Sequence, residues 1–290
     1  MKIVILALLL SNSTILAHHK NTNPAINTVN VDAGVNKKVV KEWKQSLAKI
    51  STVNSTSYIV KKSGGKDKLH RVGHRDAIIW MPNSTDLSKD TTVIFWFHGH
   101  YGYVPHRTFE DRTLKQFVPL SKKNIVLVIP EMPWSVHTKT PTKRNSQLWK
   151  KKGDFMKFVD QVKGIMRRHN EQQPIGNLEY RVVGHSAGGS TIKRLGITGD
   201  LCKLNPTMVV WSDSSYGRWL DNAWDGCLKE TNIVVKVFVH RWGSPYRQAT
   251  RFLGQFQDPP SNIELHVKSK GWSHKLIGNN VVRLSNLLED

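Results

Sequence analysis

Tyr180-Arg181-Val182-Val183-Gly184-His185-Ser186-Ala187-Gly188-Gly189 is the stretch on which the reading of this chain turns. Its apolar start predicts a buried strand over 180–183, and a helix is predicted from Ala187 to about Leu195. Ser186 falls on the turn between them, with small residues two before, two after and three after it. A strand-to-helix turn this sharp strains the serine backbone and projects its hydroxyl from the end of a sheet. Side chains at the flanking positions would strike the neighbouring strand or helix, so glycine is physically favoured there. The pentapeptide alone carries little information. The strand before it and the helix after it make it specific.

Outward from that turn, short apolar runs bounded by turn residues predict strands over 57–60, 77–81, 92–97, 125–129, 208–211, 233–239 and 263–267. Over 154–168, Phe155, Phe158, Val159, Val162, Ile165 and Met166 recur at helical spacing with charge on the other face, and a final helical pattern runs over 281–288. Near-continuous apolar strands alternating with amphipathic helices define the α/β class: a twisted, mostly parallel sheet with helices on both faces. No internal repeat or low-complexity linker divides residues 57–290, so they are read as one domain.

The N-terminal segment reads differently. Met1-Lys2, the apolar run 3–10 and the ending Ile15-Leu16-Ala17 make residues 1–17 a secretory signal peptide. Ser11, Asn12, Ser13 and Thr14 interrupt the run, which is too short to span a bilayer. After cleavage no transmembrane anchor is expected, and the location is secreted or periplasmic. Residues 18–56 are a polar lead-in followed by a basic amphipathic helix, in which Val39, Val40, Trp43, Leu47 and Ile50 alternate with lysines. That helix is expected to dock on the domain, with a membrane surface as the alternative. The two cysteines, Cys202 and Cys227, are expected to pair outside the cytoplasm, which would stabilise the fold by roughly 3–4 kcal/mol.

Of the 290 residues, 43 are Lys or Arg against 22 Asp or Glu, a formal net charge of +21. A protein this basic associates with polyanions, and export makes an anionic envelope polymer the expected partner. No nucleic-acid-binding motif accompanies the lysines, so nucleic acid is not expected. Because the lysines are dispersed, a merely solubilising surface explains them equally well.

A serine hydroxyl becomes a nucleophile only when a base takes its proton, and the base needs a third group to orient it. The base must sit at the same sheet edge as Ser186. His274, in Gly271-Trp272-Ser273-His274 after the last strand, does so. The candidate acid is Asp213, just past the strand that ends at Trp211. Asp258, before Pro259-Pro260, is the second candidate and more simply a turn residue. An oxyanion hole needs two backbone N–H groups. Ala187 would supply one, and Gly99 or His100, in His98-Gly99-His100-Tyr101-Gly102, the other.

The turn at 184–189, the His98-Gly99 loop, the late His274 and the order Ser, Asp, His resemble the α/β-hydrolase superfamily over residues 57–290. The resemblance implies two-step acyl transfer: attack by Ser186, then hydrolysis of the acyl-enzyme by water that His274 activates, with no cofactor. In one respect the chain departs from the family pattern. The family usually carries its acid after the penultimate strand, here 233–239, which is followed by His240-Arg241-Trp242-Gly243-Ser244-Pro245 and no carboxylate until Asp258. Some members place the acid one strand earlier, where Asp213 lies.

Other residues carry weaker signals. His185 is read as packed or lining the substrate pocket, His98 as part of the oxyanion loop, and His240 as lining the site. Among thirteen histidines, His98 with His100 and His70 with His74 could each supply two metal ligands. Neither pair has an obvious third, so no metal is expected. Of ten tryptophans, Trp134 and Trp272 fall beside predicted active-edge loops, where flat rings hold sugars or acyl groups. Trp96 and Trp211 belong to the core. Residues 103–153 contain the segment expected to cover the site. The expectation is an exported serine hydrolase cleaving a carboxylic ester on a small molecule or polymer, with a glycan or envelope polymer as candidate. An amidase or peptidase with the same triad, an acyltransferase, and a non-catalytic basic envelope-binding protein are the alternatives.

Overall fold

The computed structural model of the chain describes residues 25–29, 55–60, 77–82, 84–100, 116, 123–130, 132 and 148–288. The signal peptide, the amphipathic helix, His70, His74, Trp134 and most of the expected covering segment lie outside them.

Among the described residues, nine strands form a single sheet. They are β1 (Ala25–Val29), β2 (Ser55–Val60), β3 (Ala77–Pro82), β4 (Thr91–Phe97), β5 (Ile125–Pro130), β6 (Leu178–His185), β7 (Met208–Ser212), β8 (Val234–His240) and β9 (Ile263–Lys268). Their order is β1-β2-β3-β5-β4-β6-β7-β8-β9. β3 runs antiparallel to both its neighbours, while β5, β4, β6, β7, β8 and β9 are mutually parallel. β1 falls within the stretch read as a polar lead-in and pairs with β2.

The helices are α1 (Asp154–His169), α2 (Gly189–Thr198), α3 (Asp200–Leu204), α4 (Trp219–Gly226), α5 (Ser244–Leu253), α6 (His274–Gly278) and α7 (Val281–Leu284). α1 forms where the periodicity places it, burying Phe155, Val159, Val162, Ile165 and Met166. Asp154 in its first turn and Arg167 and Arg168 in its last complement the helix dipole. The helix expected from Ala187 begins at Gly189, because Ser186–Gly188 forms a 3-10 turn first. The helix expected over 281–288 stops at Leu284. There Asn286 turns left-handed at φ 50° and the Leu287 N–H closes onto Val282 O at 3.0 Å, so the chain leaves the helix.

β4 shows how the sheet is buried on both sides. Val93, Phe95 and Phe97 point into one core with Phe155, Ile192, Leu220 and Phe252 from α1, α2, α4 and α5. Ile94 and Trp96 point into a second core with Ile277 and Val281 from α6 and α7. This two-residue alternation within a wholly apolar strand is what a sheet covered on both faces requires. Cys202 in α3 and Cys227, at the end of α4, form a disulfide. Among the described residues, no helix is long and apolar enough to cross a membrane.

Candidate active site

Parallel strands bring every loop that follows them to one edge of the sheet, and that edge gathers the candidate residues. Ser186 follows β6 with a left-handed backbone at φ 54°, a conformation costly for any residue but glycine. The turn is packed tightly enough to hold it there: a Cβ on Gly188 would lie 2.1 Å from the carbonyl oxygen of Phe97 at the end of β4. The loop after β4 is equally close on the other side. A Cβ on Gly99 would fall 2.8 Å from Ser186 Cβ and 3.3 Å from its Oγ. Only a bare backbone can pass Ser186 at this distance.

His98 fixes that loop. The Met132 N–H donates to His98 Nε2 at 3.0 Å, so the proton resides on Nδ1, which donates to Gly99 O at 2.8 Å. His98 is thus a structural brace from the segment after β5 to the loop that passes Ser186. His100, next along, is partly buried, and burial lowers its pKa.

Asp213, just past β7, is fully buried and also left-handed, at φ 47°. Its N–H donates to Phe238 O at 2.7 Å, tying the turn to β8. Its Oδ2 accepts a hydrogen bond from His274 Nδ1 at 2.6 Å. Burial alone would raise the Asp213 pKa. The hydrogen bond from His274 and the fields of His274 and His240 outweigh it, holding the carboxyl below its ordinary value. With Nδ1 of His274 committed to Asp213, Nε2 is the nitrogen left to act as base. His274 opens α6, whose N-cap Ser273 accepts a hydrogen bond from the Leu276 N–H at 3.3 Å.

Two further rings among the described residues border the site. His185 stacks on His274 with centroids 4.6 Å apart and planes at 28°, while its Nδ1 donates to Ser212 O at 2.9 Å. Burial, then the neighbouring His274, push its pKa down to about 4, so it stays neutral at ordinary pH. The Tyr216 hydroxyl hydrogen-bonds the Ser186 side chain. Burial and the charge of Asp213 raise its pKa against that bond.

Ser186, Ala187, Gly99, His100, Asp213, His274 and His185 therefore lie at one edge. Asp258 does not: it is exposed in the turn before β9, at the opposite end of the sheet. Trp272 is half-buried against the second core, with the Lys268 ammonium 5.6 Å from its ring centre. Sequence reasoning missed two contributors. Tyr216 stands three residues after Asp213 in Asp213-Ser214-Ser215-Tyr216, a proximity that was legible but unused. His240, read as a lining residue, instead hydrogen-bonds Asp213 Oδ2 through its Nδ1 at 2.8 Å. Among the described residues, no group of three or more His, Cys, Asp or Glu is placed to hold a metal ion.

The strand order, with its one antiparallel strand and the tight turn at Ser186 after β6, is the arrangement that the α/β-hydrolase resemblance implies. No protein-family profile matches the sequence, and no curated protein does. Solved structures similar to it include a feruloyl esterase module from Clostridium thermocellum, at 12% identity and TM-score 0.48 over 77% of this chain and 86% of that one. A dienelactone hydrolase from Anabaena variabilis matches at 15% and 0.48 over 81% and 96%. An IroE-like serine hydrolase from Shewanella oneidensis matches at 14% and 0.46 over 78% and 76%. Likenesses this distant carry no information on substrate.

Proposed function

We propose that the protein is an exported serine hydrolase that cleaves a carboxylic ester through an acyl-enzyme on Ser186. The observation that carries this reading is the 2.6 Å bond from His274 Nδ1 to the buried Asp213, at the edge where Ser186 is held left-handed against Gly99. In the first half-reaction His274 Nε2 takes the Ser186 proton as Oγ attacks the ester carbonyl. Asp213 stabilises the imidazolium without itself being protonated. The Ala187 N–H, with that of Gly99 or His100, receives the developing oxyanion. Collapse expels the alcohol, which takes the proton from His274. Water then repeats the sequence on the acyl-enzyme and releases the acid.

The substrate side of the reading rests on charge. The loops after β7, β8 and β9, with the last residue of β9, carry Arg218, Arg241, Lys270 and Lys268. Their one carboxylate, Asp213, is buried and bonded to both histidines. Trp242, in the same rim, is 76% exposed, with the Arg241 guanidinium 5.5 Å from its ring centre. An exposed aromatic flanked by cations suits an ester borne on an anionic glycan or envelope polymer.

The test compares an aryl ester with the matched anilide, each neutral and carboxylated, at low and high salt. The reading expects ester turnover that Ser186→Ala abolishes, and a preference for the carboxylated ester that salt erases. Comparable anilide cleavage would transfer the assignment to an amidase. Activity intact in Ser186→Ala would overturn it.

A further inference from the structure

Asp213 serves two histidines, and the two-step mechanism uses only one. Its Oδ2 accepts from His274 Nδ1 at 2.6 Å and from His240 Nδ1 at 2.8 Å. Its Oδ1 accepts from the His240 backbone N–H at 3.2 Å. His240 is the last residue of β8, the strand beside the one that Asp213 follows. Its ring is held in place: a Cβ on Gly243, three residues along the same turn, would come within 2.4 Å of the ring's Cε1. A quarter of the side chain remains exposed, so solvent can exchange its proton.

We propose that His240 is a positioning residue for hydrolysis, which locks the triad carboxylate in line with His274 and, through its own protonation, sets how much of that carboxylate's charge His274 can use. The proposal rests on the triad reading above. A carboxylate oxygen accepts two hydrogen bonds through its two lone pairs. The two Nδ1–H groups occupy both at Oδ2, and the backbone N–H fixes Oδ1. The carboxylate cannot rotate without breaking one of them, so the His274 ring inherits its orientation.

The second half of the argument concerns charge. While His240 is neutral, the charge on Asp213 is available to the imidazolium that forms at His274 as Ser186 attacks. When His240 takes a proton from solvent at Nε2, one cation already leans on Oδ2 and opposes a second. The penalty falls on the step that charges His274 and leaves substrate binding alone. The other groups around the pair do not duplicate this behaviour. His185, stacked on His274 from β6, stays neutral down to about 4 because it is buried. Tyr216, in the loop after β7, has its pKa raised. Arg241 in the same turn, Lys268 opposite His240 in the β8–β9 register, and Lys275 in α6 are the other basic side chains on the surrounding elements.

The experiment follows kcat and KM for an activated ester from pH 5 to 9 in the wild type, His240→Asn and His240→Ala. Asparagine can place an N–H where Nδ1–H stands but cannot titrate. The proposal expects a wild-type kcat whose acid limb needs two ionisations. In His240→Asn that limb falls to one ionisation, whatever the level of kcat reached at pH 8. In His240→Ala, kcat should fall about 10- to 100-fold through misorientation, with KM little changed. A two-ionisation limb surviving in His240→Asn, or a wild-type kcat in His240→Ala, overturns the proposal. Should either variant fold poorly, ¹⁵N-histidine NMR of the wild type decides. Two Nδ1-bound protons in the far-downfield, carboxylate-bonded region support the proposal, and one overturns it. Failure of the triad reading is recognised separately, because the wild type would then not be acylated at Ser186 at all.

Discussion

Replacing Asp213 with asparagine keeps the volume of a fully buried side chain and removes its charge, so it isolates what the carboxylate does. Every hydrogen bond the side chain receives comes from a donor: His274 Nδ1 at 2.6 Å, His240 Nδ1 at 2.8 Å and the His240 N–H at 3.2 Å. The amide NH₂ must face one set of them. Turned toward the rings, it forces His274 to present a bare Nδ1 and move its proton to Nε2, which abolishes the base. Turned toward the backbone, it sets donor against donor and still leaves the imidazolium without a counter-charge. Triads lose about 10⁴-fold in kcat when the acid becomes an amide, equivalent to about 5 kcal/mol of barrier. The same loss is expected here, with KM changed by no more than a few-fold, in steady-state kinetics on an activated aryl ester. Far-UV circular dichroism would confirm that the variant is folded. If Asp213→Asn kept more than a tenth of the wild-type kcat while Asp258→Asn lost most of it, the assignment of the acid would be wrong.

Gly99→Ala should lower kcat about 10²-fold or more without unfolding the protein, since the new Cβ would sit 2.8 Å from Ser186 Cβ; the ester assay and a thermal melt check both halves. Replacing both Cys202 and Cys227 with serine should reduce the unfolding free energy by about 3 kcal/mol, read by urea titration, and should abolish any further effect of reductant. Because the folded-state pKa of His185 lies near 4 against an ordinary 6.5, the unfolded chain takes the proton first as pH falls. Stability from this residue is therefore complete above about 6.5 and is lost toward 4, by at most about 3 kcal/mol. Urea titrations at pH 7.5 and 4.5 should show a smaller decline in His185→Asn than in the wild type.

Much of this fold was legible because its strands are unambiguous. A run such as 125–129, apolar at every position, has no stable place except the middle of a covered sheet, and β5 lies there with every residue buried. The nucleophile turn was legible because its glycines answer a steric demand that the structure displays at Gly188. Two short helices were not: α3 and α6 span five residues each, too short for periodicity to register. α4 and α5 sit in stretches whose turn residues and tryptophans obscure the apolar spacing. The acid illustrates a subtler limit. Chain order could rank Asp213 above Asp258, but only the parallel arrangement puts Asp213 beside His274 and leaves Asp258 at the far end. The bond from His240 to Asp213 was hidden for the same reason. The partner of His240 lies 27 residues away in sequence, just past the adjacent strand, and nothing local to His240-Arg241-Trp242 signals that contact.

The central claim is that Ser186 is an activated nucleophile, and covalent labelling with a fluorophosphonate, read by intact mass, tests it most directly. One adduct on the wild type, located on Ser186, absent from Ser186→Ala and strongly slowed in His274→Ala, is the predicted result. A well-folded wild type that takes no adduct, or one labelled equally in Ser186→Ala, would contradict the account and return the basic surface to first place as the functional part of the molecule.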